Sequence, residues 1–65
     1  MVNCEKIKEL LEKKKIEQIQ LAAQVGVSGA MISYIISGLK EPSLTVLTRI
    51  AKVLDVPVAE LIIEE

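Results

Sequence analysis

Histidine, phenylalanine and tryptophan are missing from this 65-residue chain, and cysteine occurs once. One cysteine cannot form an internal disulfide, and without histidine there is no ordinary zinc site. Neither kind of staple is therefore available to a chain near the lower size limit for an unaided core. The same absences leave every possible nucleophile without a histidine base. The carboxylates are scattered along helix faces and no glycine-rich phosphate loop occurs, so the chain is not read as an enzyme, and neither a cofactor nor a metal is expected. Cys4 lies three residues before Ile7 on one apolar side and is read as packing rather than as a reactive thiol. An unpaired cysteine also suits a reducing cytoplasm.

Charge is missing as well, over one long stretch. Residues 18–39 hold no Asp, Glu, Lys or Arg. A run of this length could span a bilayer core of roughly 30 Å, with Lys13, Lys14 and Lys15 as its positive flank. Gln18, Gln20 and Gln24, three serines and the glycines at 26, 29 and 38 argue otherwise, because they lower the hydropathy and interrupt the helix. A secretory signal fits no better, since the apolar run starts too late and no cleavage-like end follows. The chain is accordingly expected to be cytoplasmic, with no membrane partner, and is read as one domain over 1–65 without linker, repeat or low-complexity segment.

What is present organises itself around residues 18–37, QIQLAAQVGVSGAMISYIIS. Leu21, Ala22 and Val25 fall on one side of a first helix, and Ile32 and Ile35 on one side of a second. Gly26 between them can end a helix in the left-handed conformation without a Cβ penalty. Ser28 offers its hydroxyl to the free N–H groups of the next helix. Small Ala22 allows a close crossing, and Val27 is expected to plug the corner. The pattern predicts a helix-turn-helix, whose second helix has the dimensions of a DNA major groove.

Around it, Asn3 is placed to cap a helix running to about residue 14, with Cys4, Ile7, Leu10 and Leu11 as its inner stripe and lysines at its end. Ile16 is expected to tuck under the second helix, which starts near Glu17 or Gln18. The third runs over 29–37 and Gly38 ends it. Ser43 caps a fourth with Leu44, Leu47, Ile50, Ala51 and Leu54 at helical spacing to Asp55. Pro57 suits a first helical position and predicts a fifth helix through Ile63.

In this order, IKELLEKK, Gln18 followed by LAAQVGVS, Ile32-Ser33, Ile35, Gly38, Pro42-Ser43-Leu44, Leu47, IAKVL and AELI resemble the Cro and phage-repressor family of transcription regulators, also called the xenobiotic-response-element family. The likeness runs from about Ile7 to Ile62. It implies a compact, five-helix, all-α fold of the lambda-repressor-like kind that binds a double-stranded DNA operator and needs no small-molecule ligand. It places Gln18 on a phosphate, Gly29, Ala30, Ser33 and Tyr34 at base-reading positions, and Ser28 and Ser37 near the DNA backbone. Lys40, just past the second helix of the motif, is assigned to a phosphate. Lys13, Lys14 and Lys15 are weighed equally as phosphate contacts and as a solvated helix end.

The departures from the family pattern are coherent. Where many members pair an arginine with a glutamate across the fold, this chain has Leu11 and Ile36, both apolar. Such a replacement is neutral or gains about 1–4 kcal/mol, because neither charge is desolvated. Glu17 stands where serine or asparagine is usual, and the first two reading positions, Gly29 and Ala30, have almost no side chain. The overall charge is −1, from eight basic and nine acidic residues, so placement matters more than the total.

The hydrophobic share is 51%, high for this size. Val46, Val53, Val56, Val58, Leu61, Ile62 and Ile63 exceed what a small core needs, and a homodimer through Val53 to Ile63 is expected, with a roof over the core as the alternative. Two functions follow. One is a sequence-specific DNA-binding regulator, a repressor or Cro-like switch, whose signal input comes from another protein. The other is a protein-interaction module in which Gly29, Ala30, Met31 and Tyr34 form an apolar patch.

Overall fold

The computed structural model describes residues 1–63. Helix α1 spans Cys4–Lys14 and begins where Asn3 accepts the Lys6 N–H at 3.1 Å. It stops at Lys15, which takes the left-handed conformation at φ 56 although it is not glycine. The N–H of Ile16 then reaches back to the Leu11 carbonyl at 2.9 Å, closing the orphan end of the helix. That reversal lets Ile16 pack against the core as expected.

Helix α2 spans Gln18–Val25 and helix α3 spans Gly29–Ile36, with Gly26 between them at φ 86. The N–H groups of Gly26 and Val27 both turn back to the Ala22 carbonyl, at 2.9 and 3.0 Å. Ser28 accepts the Met31 N–H at 3.1 Å, and half-buried Val27 fills the corner. The two helices meet at 114°, within the range of a helix-turn-helix. The charge-free run is thus broken in two, and no single helix among the described residues is long and apolar enough to cross a membrane.

Past α3, Gly38 takes φ 82 and the N–H groups of Leu39 and Lys40 fold onto the Tyr34 carbonyl at 2.9 and 3.2 Å. Helix α4 covers Leu44–Leu54, opened by Ser43 accepting the Val46 N–H at 3.2 Å and closed at left-handed Asp55.

The expected fifth helix does not form. Val58–Leu61 make one 3-10 turn, so among the described residues the all-α fold has four α-helices rather than five. Pro57 precedes that turn in an extended conformation, and Ile62 leaves it extended at φ −119 and ψ 132. Backbone partners at the other end of the chain hold it there. Ile62 pairs antiparallel with Val2, the Asn3 N–H donates to the Leu61 carbonyl at 2.7 Å, and the Ile63 N–H donates to the Met1 carbonyl at 2.8 Å. Those bonds replace the helical ones a fifth helix would have made.

One core joins these pieces. Ile7, Leu21, Ile32, Ile35, Ile50, Leu54 and Leu61 are fully enclosed, each worth roughly 1.5–3 kcal/mol on burial. Helix α2 packs on α3 and α4, α1 packs on α3, and the 3-10 turn rests on α1 and α4. Leu11 and Ile36 are only 5% and 4% exposed, and no polar or charged residue is buried among those described. The surplus of apolar residues is mostly absorbed by this core. Leu61 belongs to it, while Val46, Val53, Val56, Val58 and Ile62 are half-buried against it. Of that set Ile63 alone is exposed, at 43%.

Candidate nucleic-acid interface

The core decides which way α3 faces. Ile32, Ile35 and Ile36 point inward, so helical geometry turns residues 30, 33, 34 and 37 to the opposite side, while Gly29 is exposed only because it opens the helix. Gly29, Ala30, Ser33, Tyr34 and Ser37 are all exposed, as are Gln18, Ser28 and Lys40. All eight residues assigned from sequence therefore lie at the surface, and Ala30, Ser33 and Tyr34 share the outer face of α3, with Gly29 at its N-terminal edge.

Their local bonds divide them. The Ser28 hydroxyl oxygen caps α3, and the Ser37 hydroxyl donates to the Tyr34 carbonyl at 3.1 Å, so both are tied to their own helix. Tyr34 is 47% exposed and is the chain's only aromatic residue. Its carbonyl gathers the bonds from Ser37, Leu39 and Lys40, which fixes the backbone of Lys40 one turn beyond the Tyr34 ring. A cation and the chain's one aromatic residue are in this way tied together through one carbonyl.

Gly29 sits in the first turn of α3 with nothing within 4 Å of the place a Cβ would occupy and no left-handed φ to require glycine. Neither packing nor backbone geometry explains this glycine. Met31 is half-buried against the core, so the apolar patch expected for a protein partner shrinks to Gly29, Ala30 and Tyr34.

At the other end of the motif, Gln18 takes the first position of α2. Gln20 Oε1 accepts the Glu17 N–H at 2.9 Å, closing one side of a capping box. Gln18 also lines an open groove between α1 and α2 with Lys8, Leu11, Glu12, Lys15, Ile16 and Glu17. Lys15 thus shares this groove with Gln18, and Glu17 lies in it with Lys8 and Lys15, with no α3 residue in its lining.

Two features of this surface escape a sequence reading. Leu39, inside the α3–α4 connection, and Leu44, the first residue of α4, are 75% and 72% exposed and lie on either side of Lys40 in the sequence. Arg49, an exposed residue on α4, donates from Nη1 to the Val25 carbonyl at 3.3 Å, at the C-terminus of α2. Leu44 follows helical spacing and so reads as core, whereas Leu39 falls in the loop before α4. The arginine bond links residues 24 apart and leaves no local signal.

Two short helices meeting at 114° around left-handed Gly26 define a helix-turn-helix protein. The chain belongs to the helix-turn-helix family of Cro and phage-repressor type, DNA-binding transcription regulators, whose family model matches residues 7–61. Among curated proteins none matches the sequence.

Proposed function

We propose that this chain is a sequence-reading DNA-binding protein that represses transcription in the cytoplasm, docking α3 in the major groove of an operator. The observation that carries this reading is the uncharged exposed face of α3 formed by Ala30, Ser33 and Tyr34, with Lys40 held just past it on the Tyr34 carbonyl. Gln18 and Lys40 hold phosphates. Ser28 and Ser37 approach the backbone. Ser33 and Tyr34 reach base edges, and Ala30 contributes apolar contact to a thymine methyl. Gly29 offers no side chain, so more of the specificity comes from DNA shape than in relatives with long side chains there. Catalysis, cofactors and small-molecule ligands have no part in the proposal.

Selection from a random duplex library at two salt concentrations tests it. An enriched motif, bound more weakly at the higher salt, is the expected result. If no duplex is retained even at low salt, the reading fails. The second reading, a protein-docking module, then takes its place, favoured by the missing charge over 18–39 and by exposed Tyr34, Leu39 and Leu44.

The homodimer also belongs to the proposal. Met1 and Ile63 are both exposed and are bonded to each other, so they form the apolar end of the molecule that a second copy covers. A two-fold dimer would set its paired α3 helices against half-sites about 34–36 Å apart. Sedimentation equilibrium at micromolar concentration should give twice the chain mass, and Ile63→Glu should return it to the monomer mass. An unchanged mass in that variant rules this surface out.

A further inference from the structure

The last carbonyls of a helix lack partners within it and carry partial negative charge, which a nearby cation offsets. Helix α2 has no basic residue in its last turn to do this. The cation comes instead from α4. Arg49 is the chain's only arginine and stands outside the buried stripe Leu47, Ile50, Ala51 and Leu54. Its Nη1 lies 3.3 Å from the carbonyl oxygen of Val25, the last residue of α2. The same atom would be 3.9 Å from a Cβ on Gly26, so the guanidinium lies against the left-handed glycine that turns the chain.

Most other side-chain hydrogen bonds among the described residues span two to four positions and serve caps or turns. Only Arg49 ties a separate helix to the corner of the motif. Helix α3 packs on α1 and α2, and α4 packs on α2, on α1 and on the 3-10 turn. The corner at Val25 and Gly26 is where a side chain of α4 bonds directly to the backbone that sets the direction of α3.

We propose that Arg49 is a positioning residue. By holding the Val25 carbonyl it fixes the corner between α2 and α3, and so the angle at which α3 is presented to DNA. The use of that angle rests on the DNA-binding reading above. Arginine suits the task better than lysine, because its planar guanidinium can keep one N–H on the carbonyl while its face rests on the glycine.

The test compares Arg49→Met and Arg49→Lys with Lys52→Met, which removes the same charge from the same helix. Residual dipolar couplings on the free protein report the α2–α3 angle without any DNA. Arg49→Met should change that angle and move the amide signals of Gly26, Val27 and Ser28, while signals of core residues such as Ile7 and Leu54 stay in place. Its affinity for the selected duplex should fall about tenfold, the scale of one hydrogen bond to a charged group. The salt dependence should keep its slope, because no phosphate contact is lost. Arg49→Lys should recover affinity to within about threefold of the parent, and Lys52→Met should leave the angle unchanged.

An unchanged angle in Arg49→Met overturns the proposal even if affinity falls. A salt slope reduced by about one unit also overturns it, since Arg49 would then be a phosphate ligand. If the parent binds no duplex, the DNA reading and the use assigned to the angle fall together, and the coupling data still decide whether Arg49 holds the corner.

Discussion

Helices α3 and α4 bury the same kind of stripe and differ on the side that faces water. Inside, α3 has Ile32, Ile35 and Ile36, and α4 has Leu47, Ile50, Ala51 and Leu54. Outside, α4 carries Thr45, Arg49 and Lys52, an ordinary solvated face. Helix α3 instead shows Gly29, Ala30, Ser33 and Tyr34, small or neutral residues that solubility alone does not call for. Both helices begin with a serine cap of the same geometry, so the contrast lies in the outer face rather than in how each helix forms. An inner face answers to packing. An outer face with no charge has to be explained by what it meets.

The largest effect should come from the inner side of α3. Ile36→Ala should cost roughly 2–5 kcal/mol in urea or thermal unfolding, because it opens a cavity where Ile36 is buried in the core with Leu11. A loss of a few tenths would place Ile36 at the surface and undo the contrast between the two faces.

The outer side comes next. Tyr34→Ala should leave stability nearly unchanged and alter base preference by about 1–3 kcal/mol at one position of the site, measured by competition between duplexes. Lys40→Ala should weaken all sequences alike and lower the salt slope by about one unit. If the two variants behave the same way, positioning and reading are not divided as described.

The caps give a matched pair of smaller size. Ser28→Ala and Ser43→Ala should each cost about 1 kcal/mol of stability. Ser28→Ala should also weaken DNA binding at temperatures well below unfolding, and Ser43→Ala should do so much less. Equal effects on binding would mean that α3 and α4 contribute alike.

The smallest change is at Gly29. With open space around it and an ordinary helical backbone, Gly29→Ala should raise stability by at most about 1 kcal/mol. Gly29→Gln should add a preference at the facing base pair, adenine being the partner whose edge best matches an amide. A flat preference in a second selection would remove Gly29 from the reading face.

The sequence made the motif legible because its signals are local. Gly26, Ser28, Gly38 and Ser43 each mark a boundary within a few residues of the bonds they make, and the spacing of Leu21, Val25, Ile32 and Ile35 sets the inner face. What it hid was non-local or lacked the usual residue. Lys15 ends α1 in a left-handed conformation that glycine normally signals. Pro57 and the apolar residues after it read as a helix, but the bonds that settle their shape come from Met1, Val2 and Asn3 at the far end of the chain. The valines of α4 and the last turn looked like an interface because their number was visible and their packing was not. At the candidate site, exposure follows from helical spacing, whereas the reach of Arg49 to Val25 depends on how α4 lies across α2.

The bond between Ile63 and Met1 gives the backbone the path of an almost closed ring. Residues 1–3 and 62–63, which complete it, lie outside the stretch that matches the family. A short peptide joining Ile63 to Met1 would need little rearrangement of the fold. In the chain-entropy description, closing a loop of 65 residues removes about 4 kcal/mol of freedom from the unfolded state. The order of the helices along the chain could then be changed by opening the ring past Lys40, between Glu41 and Pro42, which leaves the bonds of Leu39 and Lys40 to the Tyr34 carbonyl uncut.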